Sequence, residues 1–100
     1  MKLKISPYAE EDLQESVSFY NSQQQDLGNT FFQEINRSFD RIKDKPALCQ
    51  KVRKNLRRFT VARFPFIIFF VEKDEICYVL AVFHSSRNPR IISERYKSIK

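Results

Sequence analysis

The chain has 100 residues, the size of a single domain with one modest hydrophobic core. Its one Gly excludes a glycine-rich phosphate loop and a dinucleotide-binding motif, and one His with two Cys supplies too few soft ligands for a structural zinc site. The net charge of +6 favours an acidic or polyanionic partner. We therefore predict one domain over residues 1–100 that holds neither a metal nor an organic cofactor.

The sequence also predicts the compartment. The first residues, MKLKISPYAEEDL, lack the apolar segment of a signal peptide, and no run approaches the roughly 18–20 apolar residues of a membrane span. Cys49 and Cys77 are far apart in the sequence, and in a reducing cytosol they are expected to be free thiols rather than a disulfide. We predict a cytoplasmic protein that makes no contact with a membrane.

The first part of the chain predicts a strand followed by a helix. Lys2–Ser6 alternates polar and apolar residues, as a short edge strand does. Ser6 and Pro7 then supply a capping hydroxyl and a helix-initiating proline. The helix is expected to fade within the polar run Asn21–Asp26. Its apolar face recurs at helical spacing, at Ala9, Leu13, Val17 and Tyr20.

A second helix is predicted directly afterwards. Gly28 is expected to cap the first helix or to form the tight turn between the two helices. The second helix runs to about Lys45, since Pro46 stops its continuation. The short connection between the helices favours an antiparallel hairpin. The apolar face of the second helix comprises Phe31, Ile35, Phe39 and Ile42.

The second half of the chain predicts strands. Leu56–Ala62 is a mixed strand, and Phe64–Val71 is apolar throughout, as expected of a central strand covered on both faces. Glu72–Glu75 forms a turn to a second central strand, Ile76–Phe83, paired antiparallel to the first. Ile91–Ser98 is a weak helix. The order β-αα-βββ-(α) predicts an α+β fold in which a helical hairpin packs on an antiparallel β-sheet, with a short C-terminal helix.

The positive charge is concentrated in one segment. Residues 43–63 carry eight Lys or Arg and a single acid, a local charge of +7, whereas residues 1–42 sum to −3. A dense patch raises the local potential more than scattered charges do. The segment predicts either a phosphate-binding surface or a solvated face that keeps the protein in solution. Its candidate binding residues are Lys51, Arg53, Lys54, Arg57 and Arg58.

The lone His84 directly follows an apolar strand. An imidazole at a strand end suits general acid–base chemistry, although a structural His that caps the strand is the favoured interpretation from the residues alone. Arg87 and Arg90 either clamp a phosphate or pair with Glu94 and Glu72. Tyr96 either stacks on a base or anchors the last helix.

Several pieces of the sequence, taken in order, carry a family resemblance. They are Ala9 with Asp12-Leu13, Gly28 with Phe31 or Phe32, Leu56-Arg57-Arg58, the strand entry Arg63-Phe64-Pro65-Phe66, and the closing run Val82-Phe83-His84-Ser85-Ser86-Arg87. Together they resemble the RelE/ParE superfamily, the small basic toxins of bacterial type II toxin–antitoxin modules. The resemblance extends from Ile5 to about Arg95.

The resemblance implies a toxin that is held inactive by an acidic antitoxin, whose C-terminal segment wraps around it. One branch of the superfamily cleaves mRNA in the ribosomal A site without a metal, and another inhibits DNA gyrase. We predict a ribosome-dependent endoribonuclease that stops translation. The long hairpin resembles the gyrase-inhibiting branch, which is the alternative, and a non-toxic relative that only binds an antitoxin-like partner is the third interpretation.

For a nuclease, the resemblance also implies roles for individual residues. His84 is the acid or base, Arg87 stabilises the developing charge, and Tyr96 stacks on a base or transfers a proton, with Arg63 as the fourth catalytic candidate. The unpaired first strand and the exposed hairpin are compatible with a homodimer when the antitoxin is absent. The RNA phosphates are assigned to Lys51, Arg53, Lys54, Arg57, Arg58 and Arg90.

Overall fold

The computed structural model describes residues 1–99 and confirms the α+β fold. The chain runs through β1 (Lys2–Ile5), α1 (Pro7–Gln23), α2 (Leu27–Asp44), a 3-10 turn (Pro46–Leu48), β2 (Gln50–Arg53), β3 (Leu56–Thr60), β4 (Phe66–Lys73), β5 (Ile76–His84) and α3 (Arg90–Ile99). Within this part of the chain the strands form one sheet in the order β1-β5-β4-β3-β2. We call the side that packs under α1 and α2 the hairpin face, and the side that packs under α3 the α3 face.

β1 is the predicted edge strand, but it makes the sheet mixed, whereas the sequence predicted an antiparallel sheet. It pairs in parallel with β5, from Lys2 opposite Ile76 to Ile5 opposite Val79, whereas every other neighbouring pair is antiparallel. Strands β2 to β5 follow one another through short connections, which only an antiparallel arrangement allows. β1 is separated from β5 by most of the chain, so its direction is not constrained in this way.

β2 is a strand that the sequence pattern did not predict, because all of Gln50–Arg53 is exposed and shows no apolar alternation. It joins β3 through a two-residue turn in which Lys54 has a φ of 46°. The register shifts between Lys51 and Arg53, which is a bulge at Val52. Backbone hydrogen bonding to β3, rather than side-chain burial, therefore makes this segment a strand.

β4 and β5 are the predicted central antiparallel pair. Their turn at Asp74 and Glu75 has φ values of 53° and 63°, the backbone conformation of a tight hairpin turn. A bulge at Leu80 interrupts the pairing of β5 with β4. Because of this extra residue, Val79 and Val82 both pack in the core of the hairpin face.

The start of α1 agrees with the prediction, whereas the role of Gly28 between the two helices differs from the predicted one. Ser6 caps α1 as predicted, since its hydroxyl accepts a hydrogen bond from the Ala9 N–H at 3.1 Å. Gly28, however, lies buried in the first turn of α2, and Asp26 is the residue with a positive φ in the connection. A Cβ on Gly28 would lie 2.4 Å from the Val17 carbonyl oxygen. The glycine is therefore required for close packing of the two helices and not for a cap or turn conformation.

Aromatic rings fill the core beneath the hairpin. The centroid of Phe31 lies 4.7 Å from that of Phe66 and 5.1 Å from that of Phe64. Tyr20 of α1 joins this group at 5.1 Å from Phe31. A second, smaller core on the α3 face packs Tyr96 among strand residues. None of the helices in residues 1–99 has the length and apolar content needed to cross a bilayer.

Candidate functional site

β2 carries the exposed part of the basic segment. Lys51, Arg53 and the turn residue Lys54 are exposed, and none of them forms an ion pair within residues 1–99. We call these three residues the basic edge. Because β2 is the last strand of the sheet in this part of the chain, its outer backbone groups also have no neighbouring strand. These candidate binding residues therefore lie on a surface that is open to a partner.

Two arginines on the α3 face rest on aromatic rings. The guanidinium carbon of Arg53 lies 5.1 Å from the centroid of Tyr96, and that of Arg58 lies 5.9 Å from the centroid of Phe69. Arg58 is half-buried, and its Nε has no hydrogen-bond partner among the described residues. Contacts of this kind hold a guanidinium in place without neutralising it. The structure thus places Arg53 and Arg58 on the same face of the sheet as two positive groups.

Arg57 lies on the opposite, hairpin face and is already engaged. Its Nη1 donates a hydrogen bond to the Cys49 carbonyl at 2.9 Å, and its Nε lies 3.4 Å from a carboxylate oxygen of Glu72. These contacts tie the segment before β2 to the end of β4. Adjacent residues of a strand point to opposite faces, so the structure separates Arg57 from Arg58.

Tyr96 anchors α3 to the sheet. Its ring is buried, and its hydroxyl donates a hydrogen bond to the Asn55 side-chain oxygen at 2.6 Å. The Asn55 amide in turn donates to the Glu72 carbonyl at 3.2 Å. The guanidinium of Arg53 covers the ring of Tyr96. This phenol is therefore part of the packing between α3 and the β2–β3 turn.

His84 ends β5 on the hairpin face. Its ring centroid lies 5.4 Å from that of Phe66, which belongs to the core under the hairpin. The Ser86 N–H donates a hydrogen bond to Nδ1 at 3.1 Å, and the Ser86 hydroxyl lies 2.7 Å from the same nitrogen. Because Nδ1 accepts from the backbone, the neutral ring carries its proton on Nε2. The imidazole is exposed, but the sheet separates it from Arg53 and Arg58.

The three remaining arginine candidates are dispersed. Arg87 lies over the Phe83 ring at 4.2 Å and pairs with Asp12 at 3.3 Å, rather than with the glutamates expected from the sequence. Arg90 is exposed at the start of α3. Arg63 is exposed in the connection between β3 and β4, with a φ of 71°. Arg87 lies next to His84 along the backbone, since its N–H donates to the His84 carbonyl at 2.9 Å, but its guanidinium pairs with Asp12.

Asp12 is a buried acid to which the sequence motifs assigned no role. Its carboxylate lies 2.7 Å from Nη1 of Arg95 and accepts a hydrogen bond from the Val82 N–H at 3.1 Å. Arg95 also donates to the Leu80 carbonyl at 2.9 Å. The sequence signals for it were an acid directly before Leu13, on the apolar side of α1, and the presence of Asp12-Leu13 among the pieces that carry the family resemblance.

Both cysteines are free thiols. Burial raises the pKa of Cys49, with the Glu72 carboxylate adding to the shift and Arg57 opposing it. Burial likewise raises the pKa of Cys77. Both thiols therefore stay protonated at neutral pH and are poor nucleophiles. Among residues 1–99, no three side chains of His, Cys, Asp or Glu lie close enough together to hold a metal ion.

A helical hairpin packs on one face of a mixed sheet, and a basic strand lies at the edge of that sheet within residues 1–99. This arrangement defines a small basic α+β domain of the RelE/ParE type. The family model described as "ParE toxin of type II toxin-antitoxin system, parDE" matches residues 3–89. The chain belongs to this family of ParE toxins, and membership implies an antitoxin partner.

A solved structure with a similar fold is described as the chromosomal ParDE TA system from P. aeruginosa. The TM-score is 0.68 and the identity is 20%, over 84% of this chain and 95% of that chain. At this level of identity the similarity concerns the fold alone. No curated protein sequence gave a match.

Proposed function

We propose that the chain is a toxin that inhibits DNA gyrase through protein–protein contact, and that an acidic antitoxin holds it inactive in the cytoplasm. The observation that carries this proposal is the separation of the candidate nuclease groups. A metal-independent ribonuclease needs an acid, a base and a charge-stabilising group at one phosphate. Here His84 lies on the hairpin face and Arg53 and Arg58 lie on the α3 face. Arg87, the predicted charge-stabilising residue, is paired with Asp12 at 3.3 Å.

The hairpin offers a surface that suits binding to another protein. α1 has 17 residues and α2 has 18, so each helix is about 25 Å long. Phe19 and Phe32 are exposed on it at 57% and 44%. Phe32 borders an open groove of about 670 Å³ between α1, α2 and the end of β1. Exposed apolar side chains beside a groove are typical of protein interaction sites.

The test is a supercoiling assay with purified gyrase and a molar excess of the toxin. Inhibition is expected for the wild-type chain and is expected to fall for Phe32→Ser. Val52→Ser is the matched control, because Val52 has the same 44% exposure but lies on β2 and does not line this groove. Unchanged supercoiling at the highest toxin concentration would exclude the gyrase target.

A ribosome-dependent endoribonuclease is the second candidate. It is favoured by Arg53 and Arg58, which lie on the same face of the sheet without acidic partners in the described residues. Two fixed guanidinium groups suit a phosphodiester as well as a carboxylate. Incubating the toxin with translating ribosomes and mapping the mRNA ends tests this candidate directly. New 3′ ends within the A-site codon would support it.

A further inference from the structure

Positive and negative charge lie on different parts of the fold. Residues 43–63 carry a local charge of +7, whereas residues 1–42, which include β1, α1 and most of α2, sum to −3. Within the positive segment the basic edge is exposed and forms no ion pair with another described residue. Arg58 adds a guanidinium on the adjacent strand β3. A concentrated patch of this kind attracts a polyanion.

The spacing of the basic edge fits the backbone of a nucleic acid. A strand rises about 3.3 Å per residue, so Lys51 and Lys54 lie up to about 10 Å apart along β2 and its turn. Duplex DNA places one phosphate on each of its strands per about 3.4 Å of helix axis. The basic edge therefore extends along about three successive phosphates of one DNA strand. Arg58, which pairs opposite Gln50, extends the positive surface inward across the sheet.

The aromatic rings beneath these arginines are covered, which favours a duplex over a single strand. Single-stranded nucleic acid that is bound without sequence preference stacks its bases on bare aromatic faces. Here Arg53 covers the ring of Tyr96, which is only 3% exposed, and Phe69 is only 8% exposed beneath Arg58. A duplex needs no such faces, because phosphate contacts alone supply sequence-independent binding. A duplex is also stiff, so it loses less conformational freedom on binding than an acidic peptide does.

We propose that the basic edge and Arg58 bind the phosphates of duplex DNA, and that a toxin bound to gyrase through its hairpin thereby also holds the DNA on which gyrase acts. The fold allows both contacts at once. The groove beside Phe32 lies between α1, α2 and the end of β1, whereas β2 lies at the other edge of the sheet. The link to gyrase rests on the proposed function, but the DNA contact concerns this chain alone.

The test is fluorescence anisotropy of a fluorescein-labelled DNA duplex of about 20 base pairs with the full-length toxin, between about 50 and 200 mM NaCl. Each phosphate contact contributes about −0.9 to the slope of log K against log salt, so the basic edge and Arg58 together predict a slope of about −3.6. Lys51→Gln/Lys54→Gln removes two of the four charges. It is expected to reduce the slope to about −1.8 and the affinity at low salt at least about tenfold.

Lys2→Gln/Lys4→Gln is the matched control, because it removes the same charge from β1, at the other edge of the sheet. Lys2 also lines a hollow together with Asp74 and Glu75, which weakens its attraction for a phosphate. The control is expected to keep the slope of the wild type and an affinity within about twofold of it. An equal loss in the two double variants would overturn the choice of the basic edge.

Unlabelled competitors decide between duplex DNA and other polyanions. The unlabelled duplex is expected to displace the labelled one at a lower concentration than a single-stranded RNA of the same length or a polyglutamate of about 40 residues, which has about the charge of the duplex. Displacement by the RNA or the polyglutamate at an equal or lower concentration would overturn the choice of duplex DNA. Absence of saturable binding of the duplex at the lowest salt concentration would overturn the DNA contact altogether.

Gyrase is absent from these binding measurements, so the DNA contact and the gyrase proposal are tested separately. DNA binding that depends on the basic edge, without inhibition of supercoiling by the wild type, would leave the DNA contact in place and refute the gyrase proposal. Inhibition without DNA binding would do the opposite. Where both are observed, Lys51→Gln/Lys54→Gln is expected to raise the toxin concentration needed for half-inhibition of supercoiling, and Lys2→Gln/Lys4→Gln is not. Equal inhibition by the two variants would overturn the simultaneous contact with gyrase and DNA.

Discussion

The Asp12 carboxylate of α1 and the Arg95 guanidinium of α3 meet 2.7 Å apart beyond the end of β1. β1 pairs with β5 only as far as Val79, and past that point the two side chains bond to the edge of β5 in place of a strand. Asp12 accepts from the Val82 N–H, and Arg95 donates to the Leu80 carbonyl. The pair is almost fully buried, so it joins helices from both faces of the sheet in a water-poor site.

Replacing Asp12 with Asn is expected to destabilise the fold strongly. The substitution leaves Arg95 buried without its counter-charge, and breaking a buried ion pair on one side costs about 3–5 kcal/mol. The measurement is the free energy of urea unfolding, followed by circular dichroism. Glu11→Gln is the control, because Glu11 is the adjacent acid but is exposed. It is expected to change the free energy of unfolding by no more than about 0.5 kcal/mol. Equal losses in the two variants would contradict the role assigned to the pair.

Gly28→Ala is expected to lower the free energy of unfolding by about 1–3 kcal/mol, the cost of overpacking a tight contact. The added Cβ would lie 2.4 Å from the backbone oxygen of Val17, which cannot move away without shifting α1. The sign of the effect is informative, since an unhindered helical Gly→Ala change stabilises by about 0.5–1 kcal/mol. Asn29→Ala, at the next position of α2 and exposed, is the control in the same unfolding experiment. A Gly28→Ala variant more stable than the wild type would refute the close-packing explanation.

Apart from the exposed edge strand β1, which its polar–apolar alternation indicated, the elements that the sequence predicted are those with a buried apolar face. Both helices of the hairpin and the two central strands were found within a few residues of their bounds, because their apolar spacing reports burial directly. β2 was missed because exposed strands have no such spacing, and its position depends on hydrogen bonds to β3. Gly28 lies near the predicted turn, but the predicted role as a cap or turn residue is wrong. Its actual role, close packing against Val17, is visible only in three dimensions.

The candidate site shows the same limit. Composition located the basic segment, but it grouped Arg57 with Arg58, which the alternation of β3 sends to opposite faces of the sheet. The partnership of Asp12 and Arg95 spans 83 residues of sequence, and no local pattern encodes it. Side-chain partners of this kind decide which arginines remain available to a ligand. The sequence therefore predicts the net charge of a surface better than it predicts which residues form that surface.

The stability of the protein is expected to fall as the solution becomes alkaline. Burial raises the pKa of the Cys77 thiol above its ordinary value of 9.0, so the folded chain keeps a proton that the unfolded chain releases. The stabilisation is complete below the pKa of the unfolded thiol and is lost as the pH rises through the raised folded value. Cys49 contributes in the same direction.

The measurement is urea unfolding in reducing buffer over a series of pH values that rises from neutral through the ordinary thiol pKa of 9.0. Because the cysteines are not the only groups that titrate in this range, the informative quantity is the slope of the unfolding free energy against pH, compared between variants. Cys77→Ala is expected to have a shallower slope than the wild type, whatever its stability at neutral pH. Identical slopes would show that this thiol does not contribute to the alkaline loss of stability.

His84→Gln is expected to leave toxicity unchanged, because gyrase inhibition by contact requires no acid or base and because His84 lies apart from the arginines of the α3 face. The experiment is controlled induction in a bacterial host with pulse labelling of DNA and protein synthesis. Both the wild type and His84→Gln are expected to stop DNA synthesis first, while translation continues. Removing a general acid or base from a nuclease costs about 10²–10⁴ in rate. A rapid fall in translation that His84→Gln relieves, at equal protein levels, would therefore refute the gyrase proposal and assign His84 to RNA cleavage.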